Sequence, residues 1–90
     1  MSVTVEVTYD MGKELGAHRF EVDVAEAPTV ADVVRVTRER FGAERGEKFE
    51  ALAHRAAVAV NGVLASYKRG RRTKLADGDK VSFVKAAAGG

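Results

Sequence analysis

Apolar and polar residues alternate strictly at the start of the chain, and the same alternation returns after a short interruption. The apolar positions of the two segments are Val3, Val5, Val7 and Tyr9, followed by Phe20, Val22 and Val24. A period of two residues is typical of a strand with one face in the core and the other in solvent. The intervening "DMGKELGA" contains Gly12 and Gly16 and predicts a turn. The chain is therefore predicted to begin with an antiparallel hairpin.

A helix is predicted after the hairpin. Thr29 is a favourable N-cap, and Asp32 supplies the acidic partner three residues later. Side chains that suit a buried stripe recur at helical spacing, at Val30, Val33, Val34, Thr37 and Phe41. Gly42 is expected to end this helix, and "EKFEALAHRA" predicts a second, weaker helical stretch.

Three further segments have strand character. "AAVAVNG" predicts a strand ending at an Asn61-Gly62 turn, "VLASY" a short edge strand, and "KVSFVK" the last strand after a turn in "ADGD". The order β-β-α-(α)-β-β-β predicts an α+β roll, in which a mixed sheet packs on one main helix and the last strand lies inside the sheet.

The predicted roll leaves one face of its sheet uncovered. We expect the helix-facing side chains of the later strands to be those of Val58, Val60, Val81 and Phe83. Ala57, Ala59 and Val84 would then lie on the open face, where apolar residues suit a protein interface.

Composition excludes several kinds of site. Ninety residues suffice for one domain with a single core, and the absence of cysteine excludes disulfides, thiolate metal sites and cysteine nucleophiles. His18 and His54 are isolated, so neither is expected to bind a metal or act as a base. Asp77 and Asp79 flank a glycine, as in a turn. With no signal peptide or membrane span recognised, we expect a cytoplasmic protein without a membrane partner, metal or bound cofactor.

Positive charge is concentrated in one segment, "KRGRRTK". The net charge of the chain is +2, and this segment contains Lys68, Arg69, Arg71, Arg72 and Lys74. A nucleic-acid-binding module is one interpretation, because such residues contact phosphates. Only Tyr67 lies nearby as a stacking aromatic, whereas single-strand binders interleave several. A solvated or partner-facing loop is therefore expected, and nucleic acid is not an expected partner.

The chain ends in "KAAAGG", a segment that contributes little to a folded core. Alanine buries little surface, and Gly89-Gly90 loses the most backbone entropy on ordering. A narrow tail of this kind fits the active site of another protein, where the Gly90 carboxylate becomes the reacting group. A carboxylate is a poor electrophile, but joining it to AMP gives a mixed anhydride that sulfide, thiol or amine nucleophiles attack. We predict a folded domain at residues 1–84 and a flexible tail at residues 85–90.

Several short motifs occur in a fixed order before this tail. They are Val60-Asn61-Gly62, Leu75 with Asp77-Gly78-Asp79, the strand from Val81 to Val84, and the terminal Gly89-Gly90. In these residues and their spacing the chain resembles the bacterial sulfur-carrier proteins of the ThiS, MoaD and CysO type, which have a ubiquitin-like β-grasp fold. Many members have a proline just before the tail, whereas this chain has Lys85-Ala86, which predicts a more mobile arm.

The resemblance implies a protein co-substrate rather than an enzyme. An E1-like adenylating and sulfurtransferase enzyme of the ThiF or MoeB type would use Mg-ATP to adenylate the Gly90 carboxylate. A sulfur donor would convert it to a thiocarboxylate, and a sulfur-accepting synthase would use the sulfur in a molybdopterin, cysteine or specialised-metabolite pathway. The implied partner contacts are Phe83, Lys85, Ala86, Ala87, Ala88 and Gly89.

A ubiquitin-like protein modifier is the alternative function. Its Gly90 would form an isopeptide bond with lysines of target proteins. Both functions require the same adenylation of Gly90, so the sequence does not separate them.

Overall fold

A five-stranded mixed sheet packs against one long helix. The computed structural model describes residues 1–25, 28–65 and 70–85. In chain order the elements are β1 (Ser2–Val7), α1 (Tyr9–Leu15), β2 (Arg19–Asp23), α2 (Val30–Arg55), β3 (Ala56–Val60), β4 (Val63–Leu64) and β5 (Lys80–Lys85). A single turn of 3-10 helix at Gly70–Arg72 precedes β5.

The strands lie in the order β2-β1-β5-β3-β4. β1 and β2 form the predicted antiparallel pair, and β5 runs parallel to β1 and antiparallel to β3. β5 is therefore hydrogen-bonded on both sides, which confirms the predicted α+β roll with its last strand inside a mixed sheet.

The start of α2 is fixed by a reciprocal cap. The hydroxyl of Thr29 accepts a hydrogen bond from the Asp32 N–H, and the Asp32 carboxylate accepts one from the Thr29 N–H at 2.8 Å. The hydrogen bonds that the N–H and the hydroxyl of Thr29 donate to the Asp32 carboxylate lower its pKa. The predicted N-cap and its acidic partner are thus confirmed, and they satisfy backbone donors that the first helical turn leaves without partners.

Gly42 interrupts α2, as predicted. Its φ of 84° and ψ of −178° are not helical, and a positive φ of this size favours glycine. The second segment then packs closely on the first, because a Cβ at Gly46 would lie 2.2 Å from the carbonyl oxygen of Arg38. Ion pairs from Arg38 to Glu47 and Glu50 join the two segments at the surface, at 3.9 and 3.5 Å.

The predicted turn at "DMGKELGA" is wrong, because this segment forms α1. Met11 and Leu15 are four residues apart, lie on one side of the helix and are 4% and 2% exposed. Gly12 allows a close approach, since a Cβ there would lie 2.0 Å from Nδ1 of His18. Gly16 is the left-handed cap that ends the helix. Both glycines are therefore compatible with the helix: Gly12 lies within it and Gly16 ends it.

The core lies between α2 and the sheet. Its buried side chains include Val3, Val5, Phe20, Val22, Val30, Val33, Phe49, Leu75, Val81 and Phe83. Thr37 is the polar exception, since it is fully buried and its hydroxyl has no hydrogen-bond partner. No helix in the described part of the chain is long and apolar enough to cross a membrane.

Replacing the buried hydroxyl of Thr37 is expected to stabilise the fold. Thr37→Val keeps the branched shape and removes an unsatisfied polar atom, so the free energy of unfolding should rise by about 1 kcal/mol. Thr37→Ser keeps the hydroxyl and removes a methyl group, so it should lower the free energy of unfolding by about 1 kcal/mol. Urea unfolding followed by circular dichroism measures both, and a Thr37→Val variant less stable than the unmodified chain would contradict the prediction.

Candidate functional site

The end of β5 is the last described point of the chain before the C-terminal residues 86–90. Lys85 still pairs with Ala56 of β3, so β5 continues one residue past the predicted end of the domain at residue 84. Beside it, β1 pairs up to Val7 with Phe83. The predicted reactive and partner-binding residues Ala86, Ala87, Ala88, Gly89 and Gly90 lie outside the described residues. What the structure describes is the base from which they extend, held by a strand on either side.

Phe83 and Val84 point in opposite directions at this end of β5. Phe83 is 1% exposed and makes an edge-to-face contact with Phe49 of α2, with ring centroids 5.5 Å apart. In this fold its side chain is therefore available to the core and not to a partner. Val84 is 37% exposed and faces away from α2, so its side chain is accessible at the surface.

An apolar patch, consisting of Ala57, Ala59, Leu64 and Val84, lies on the open face of the sheet. Ala57 pairs with Val84 and Ala59 pairs with Leu64, and residues paired in this way share a face. The register confirms that Ala57, Ala59 and Val84 face away from α2, but neighbouring side chains leave Ala59 only 9% exposed. Leu64 was not predicted, because its face depends on the register of β4 with β3.

The rest of the open face is polar. Glu6 of β1 forms ion pairs with Arg19 of β2 at 3.3 Å and with Lys80 of β5 at 3.7 Å. Thr4 of β1 and Ser82 of β5 belong to the same face by register. The open face is thus divided into a polar part along β1 and β2 and an apolar part near the end of β5.

Two aromatic side chains lie at the end of the sheet where β5 ends. Tyr9 opens α1 directly after β1 and is 69% exposed, and its ring stacks on His18 with centroids 5.8 Å apart. Because β1 is parallel to β5, the start of α1 and the end of β5 lie at the same end of the sheet's strands. The sequence did not indicate this pair, since Tyr9 was predicted to end the first strand and His18 to begin the second, whereas Tyr9 starts α1.

No metal site is formed by the residues that the structure describes. His18 is in the aromatic pair, and His54 lies in the last turn of α2 before β3 begins. The predicted basic segment is described only from residue 70 onward, where Arg71, Arg72 and Lys74 are exposed. Lys68 and Arg69 lie outside the described residues.

The opposite end of β5 is held by side chains of the "NG" and "DGD" motifs. The Asp79 carboxylate accepts hydrogen bonds from the Ala76 N–H at 2.7 Å and the Asn61 amide at 2.9 Å. Asn61 in turn accepts from the Lys80 N–H at 2.9 Å, and Asp77 accepts from the Ser2 N–H at 2.8 Å. The hydrogen bond from Ala76, followed by that from Asn61, lowers the pKa of Asp79. The aspartates therefore shape a turn, as predicted.

Comparisons with known proteins agree with this geometry. The ThiS family matches residues 13–90. A protein of Archaeoglobus fulgidus described as uncharacterised is 33% identical over 73 residues, which are 79% of this chain and 76% of that protein. CysO of Amycolatopsis orientalis, solved in a complex with BexX, is similar at 26% identity and a TM-score of 0.68, with 98% of this chain and 99% of that chain covered.

A third likeness concerns the fold. SAMP1 of Haloferax volcanii has 23% sequence identity and a TM-score of 0.68, and all of both chains is covered. The mixed sheet on one long helix is thus the β-grasp arrangement. Sulfur carriers of the ThiS and MoaD kind are substrates of partner enzymes and not enzymes themselves. This chain belongs to the ThiS family.

The bonds to Asp79 predict an acid-sensitive contribution to stability. Its folded-state pKa lies below the unfolded value of about 3.9, so the contribution is complete above that value and is lost as the pH falls through the folded pKa. Asp79→Asn should lower the free energy of unfolding at neutral pH by about 1 kcal/mol. It should also make the loss of stability below about pH 4 shallower, because this carboxylate no longer contributes to it.

Urea unfolding between neutral and acidic pH measures this effect. Asp23→Asn, which removes an exposed carboxylate from β2, is the control and should leave the stability at neutral pH nearly unchanged. An Asp79→Asn variant with the same acid profile as the unmodified chain would show that these hydrogen bonds contribute nothing.

Proposed function

We propose that this chain is a cytoplasmic sulfur carrier whose Gly90 carboxylate is the site of chemistry. The observation that carries the proposal is the match of the ThiS family through residue 90, which includes the terminal Gly89-Gly90. Residues 85–90 serve as the arm, and its first residue is still paired with Ala56. The arm is therefore attached to the end of the central strand of the sheet.

The proposed chemistry takes place on a partner enzyme. The Gly90 carboxylate attacks the α-phosphorus of Mg-ATP, which forms an acyl-adenylate and releases pyrophosphate. Sulfide delivered by a donor attacks the carbonyl carbon, AMP leaves, and the chain carries a thiocarboxylate. This product is ionised at neutral pH because a thiocarboxylic acid is more acidic than a thiol, so it is a sulfur nucleophile for an acceptor enzyme. The pathway is of the molybdopterin, cysteine or specialised-metabolite type.

The surface around the end of β5 suits such partners. The apolar patch adjoins the base of the arm, so an enzyme that covers Val84 would receive the arm in its active site. The side chains of Ala57 and Ala59 are small, which lets a partner surface approach the sheet closely. The complex of CysO with BexX shows a similar protein bound to a partner.

A protein modifier is the second candidate function. The specific observation that favours it is the likeness in fold to SAMP1, one of the small archaeal modifier proteins. The adenylate of Gly90 would then be attacked by the amine of a lysine, giving an isopeptide bond and AMP. The two functions differ only in the nucleophile that reaches the activated carbonyl.

Intact-mass spectrometry tests the sulfur-carrier function. After incubation with a ThiF-type enzyme, Mg-ATP and sulfide, the chain should gain the mass difference between sulfur and oxygen. Deletion of Gly90 should abolish the gain, whereas deletion of Ala87 shortens the arm equally, keeps both terminal glycines and should retain it. Discharge into lysine conjugates instead, with Gly90 linked to the amine, would assign the modifier function.

Docking through the apolar patch gives a second prediction. Val84→Lys should raise the KM for the chain as substrate of its activating enzyme by about tenfold, because burying a valine side chain is worth about 1.5 kcal/mol. Thr4→Lys introduces the same side chain into the polar part of the open face and should leave KM unchanged. Equal effects of the two variants would show that the apolar patch does not bind this enzyme.

A further inference from the structure

The two edges of the sheet differ in how they are protected. At the β2 edge the guanidinium of Arg40 in α2 donates a hydrogen bond to the carbonyl oxygen of Glu21 and lies 5.4 Å from the centroid of the Phe20 ring. That side chain covers part of the edge. At the other edge, no described strand pairs with β4 on its outer side. An uncovered edge presents backbone donors and acceptors that pair readily with another chain.

The backbone of β4 is oriented for such pairing. The Ala65 N–H bonds to the Val58 carbonyl at 2.8 Å, so this pair is a hydrogen-bonded pair of the antiparallel ladder. Hydrogen-bonded and non-hydrogen-bonded pairs alternate along the ladder, which directs the N–H and C=O of Leu64 away from β3. Val63 and Leu64 are 69% and 67% exposed, so both faces of this short strand present apolar surface.

A groove of about 490 Å³ lies along this edge. Its walls combine the apolar side chains of β3 and β4 with a basic segment, and the lining residues are Val60, Val63, Leu64, Ala65, Arg72, Thr73 and Lys74. None of these described lining residues is acidic. None of the ion pairs among the described residues includes Arg72 or Lys74. The groove therefore offers apolar contact and unneutralised positive charge side by side.

We propose that the β4 edge binds an extended segment of a partner protein that carries acidic residues beside apolar ones. The segment lies antiparallel to β4 and exchanges backbone hydrogen bonds with Leu64. An apolar side chain packs on Val63 in the groove, and carboxylates face Arg72 and Lys74. Main-chain bonds supply affinity in this binding mode, and the side chains supply specificity.

This site is separate from the base of the arm. β3 lies between β4 and β5, and neighbouring strands are about 4.8 Å apart, so the outer edge of β4 is about 10 Å or more from β5. The inference goes beyond the proposed function and does not depend on it, because it uses neither the arm nor Val84. Leu64 belongs to the apolar patch by its side chain, and it takes part here through its outward backbone groups.

An acidic, apolar peptide fits the groove better than a nucleic acid does. A phosphate backbone would neutralise Arg72 and Lys74 but would leave Val63 and Leu64 uncovered. Among the described residues that line the groove none is aromatic, whereas single-stranded nucleic acids are usually bound by stacking of their bases. The N–H and C=O of Leu64 that point outward can form hydrogen bonds with the C=O and N–H of a peptide backbone.

Two-dimensional NMR with a synthetic probe tests the proposal. The probe is a short peptide with a valine–isoleucine core flanked by aspartates. Titration into the full chain should shift the amide signals of Val63, Leu64 and Ala65 and slow hydrogen exchange at Leu64. A peptide with a proline in the middle of the core, which removes a main-chain donor, should bind more weakly.

Charge reversal supplies the matched comparison. Arg72→Glu with Lys74→Glu should weaken binding of the peptide about three- to tenfold, as expected for two exposed ion pairs. Lys13→Glu with Arg45→Glu makes the same change in net charge on exposed positions of α1 and α2, and should leave binding unchanged. Circular dichroism and the thermal midpoint establish that both double variants are folded.

Several results would overturn the proposal. One is that a lysine-flanked peptide binds as tightly as the aspartate-flanked one, and another is that the two double variants weaken binding equally. The others are signal shifts confined to residues outside β4 and the groove, and no binding at millimolar peptide. A uracil oligonucleotide that binds through Arg71, Arg72 and Lys74 without shifting Val63 and Leu64, in place of the peptide, would assign the groove to nucleic acid.

Discussion

Hydrogen bonding of β5 on both of its sides is the constraint on which the rest of the structure depends. Parallel pairing joins it to the β1–β2 pair, and antiparallel pairing joins it to the β3–β4 pair. Without β5 these would be two separate hairpin-like units, each too small to be stable alone. Phe83 of the same strand packs on Phe49 and so ties the sheet to the second segment of α2. The strand that precedes the arm is thus hydrogen-bonded on both sides and packed against the helix.

The two ends of β5 have different surroundings. Where it begins, Asn61, Asp77 and Asp79 satisfy backbone groups of the neighbouring turns and of β1. Where it ends, the surroundings are the apolar patch and the stacked Tyr9 and His18. The motif residues that carried the family resemblance therefore specify the fold, and the terminal glycines are the part of the resemblance that bears on chemistry. A fold held at one end of a strand leaves the other end available for partners.

Local patterns predicted most of this fold, and contacts between distant segments account for what they missed. Period-two alternation identified β1 and β2, and the Thr29–Asp32 spacing located the start of α2, because strand facing and capping are local properties. α1 was missed because the fit of Gly12 beneath His18 depends on the packing of two segments. The same holds for the site: Val84 was placed correctly by alternation, whereas Leu64 and Tyr9 depend on strand register and on the parallel pairing of β1 with β5.

The character of the apolar patch suits the carrier function proposed above. A protein that is charged by one enzyme and discharged by another has to leave the first before it reaches the second. Large, deeply interlocking interfaces dissociate slowly, and differences in affinity among related complexes are mostly differences in dissociation rate. Ala57, Ala59 and Val84 offer a shallow surface with little side-chain entropy to lose on binding. In the proposed function, such a surface would give specificity through close backbone approach while the affinity stays moderate, and the arm would add contacts only where an active site is shaped to receive it.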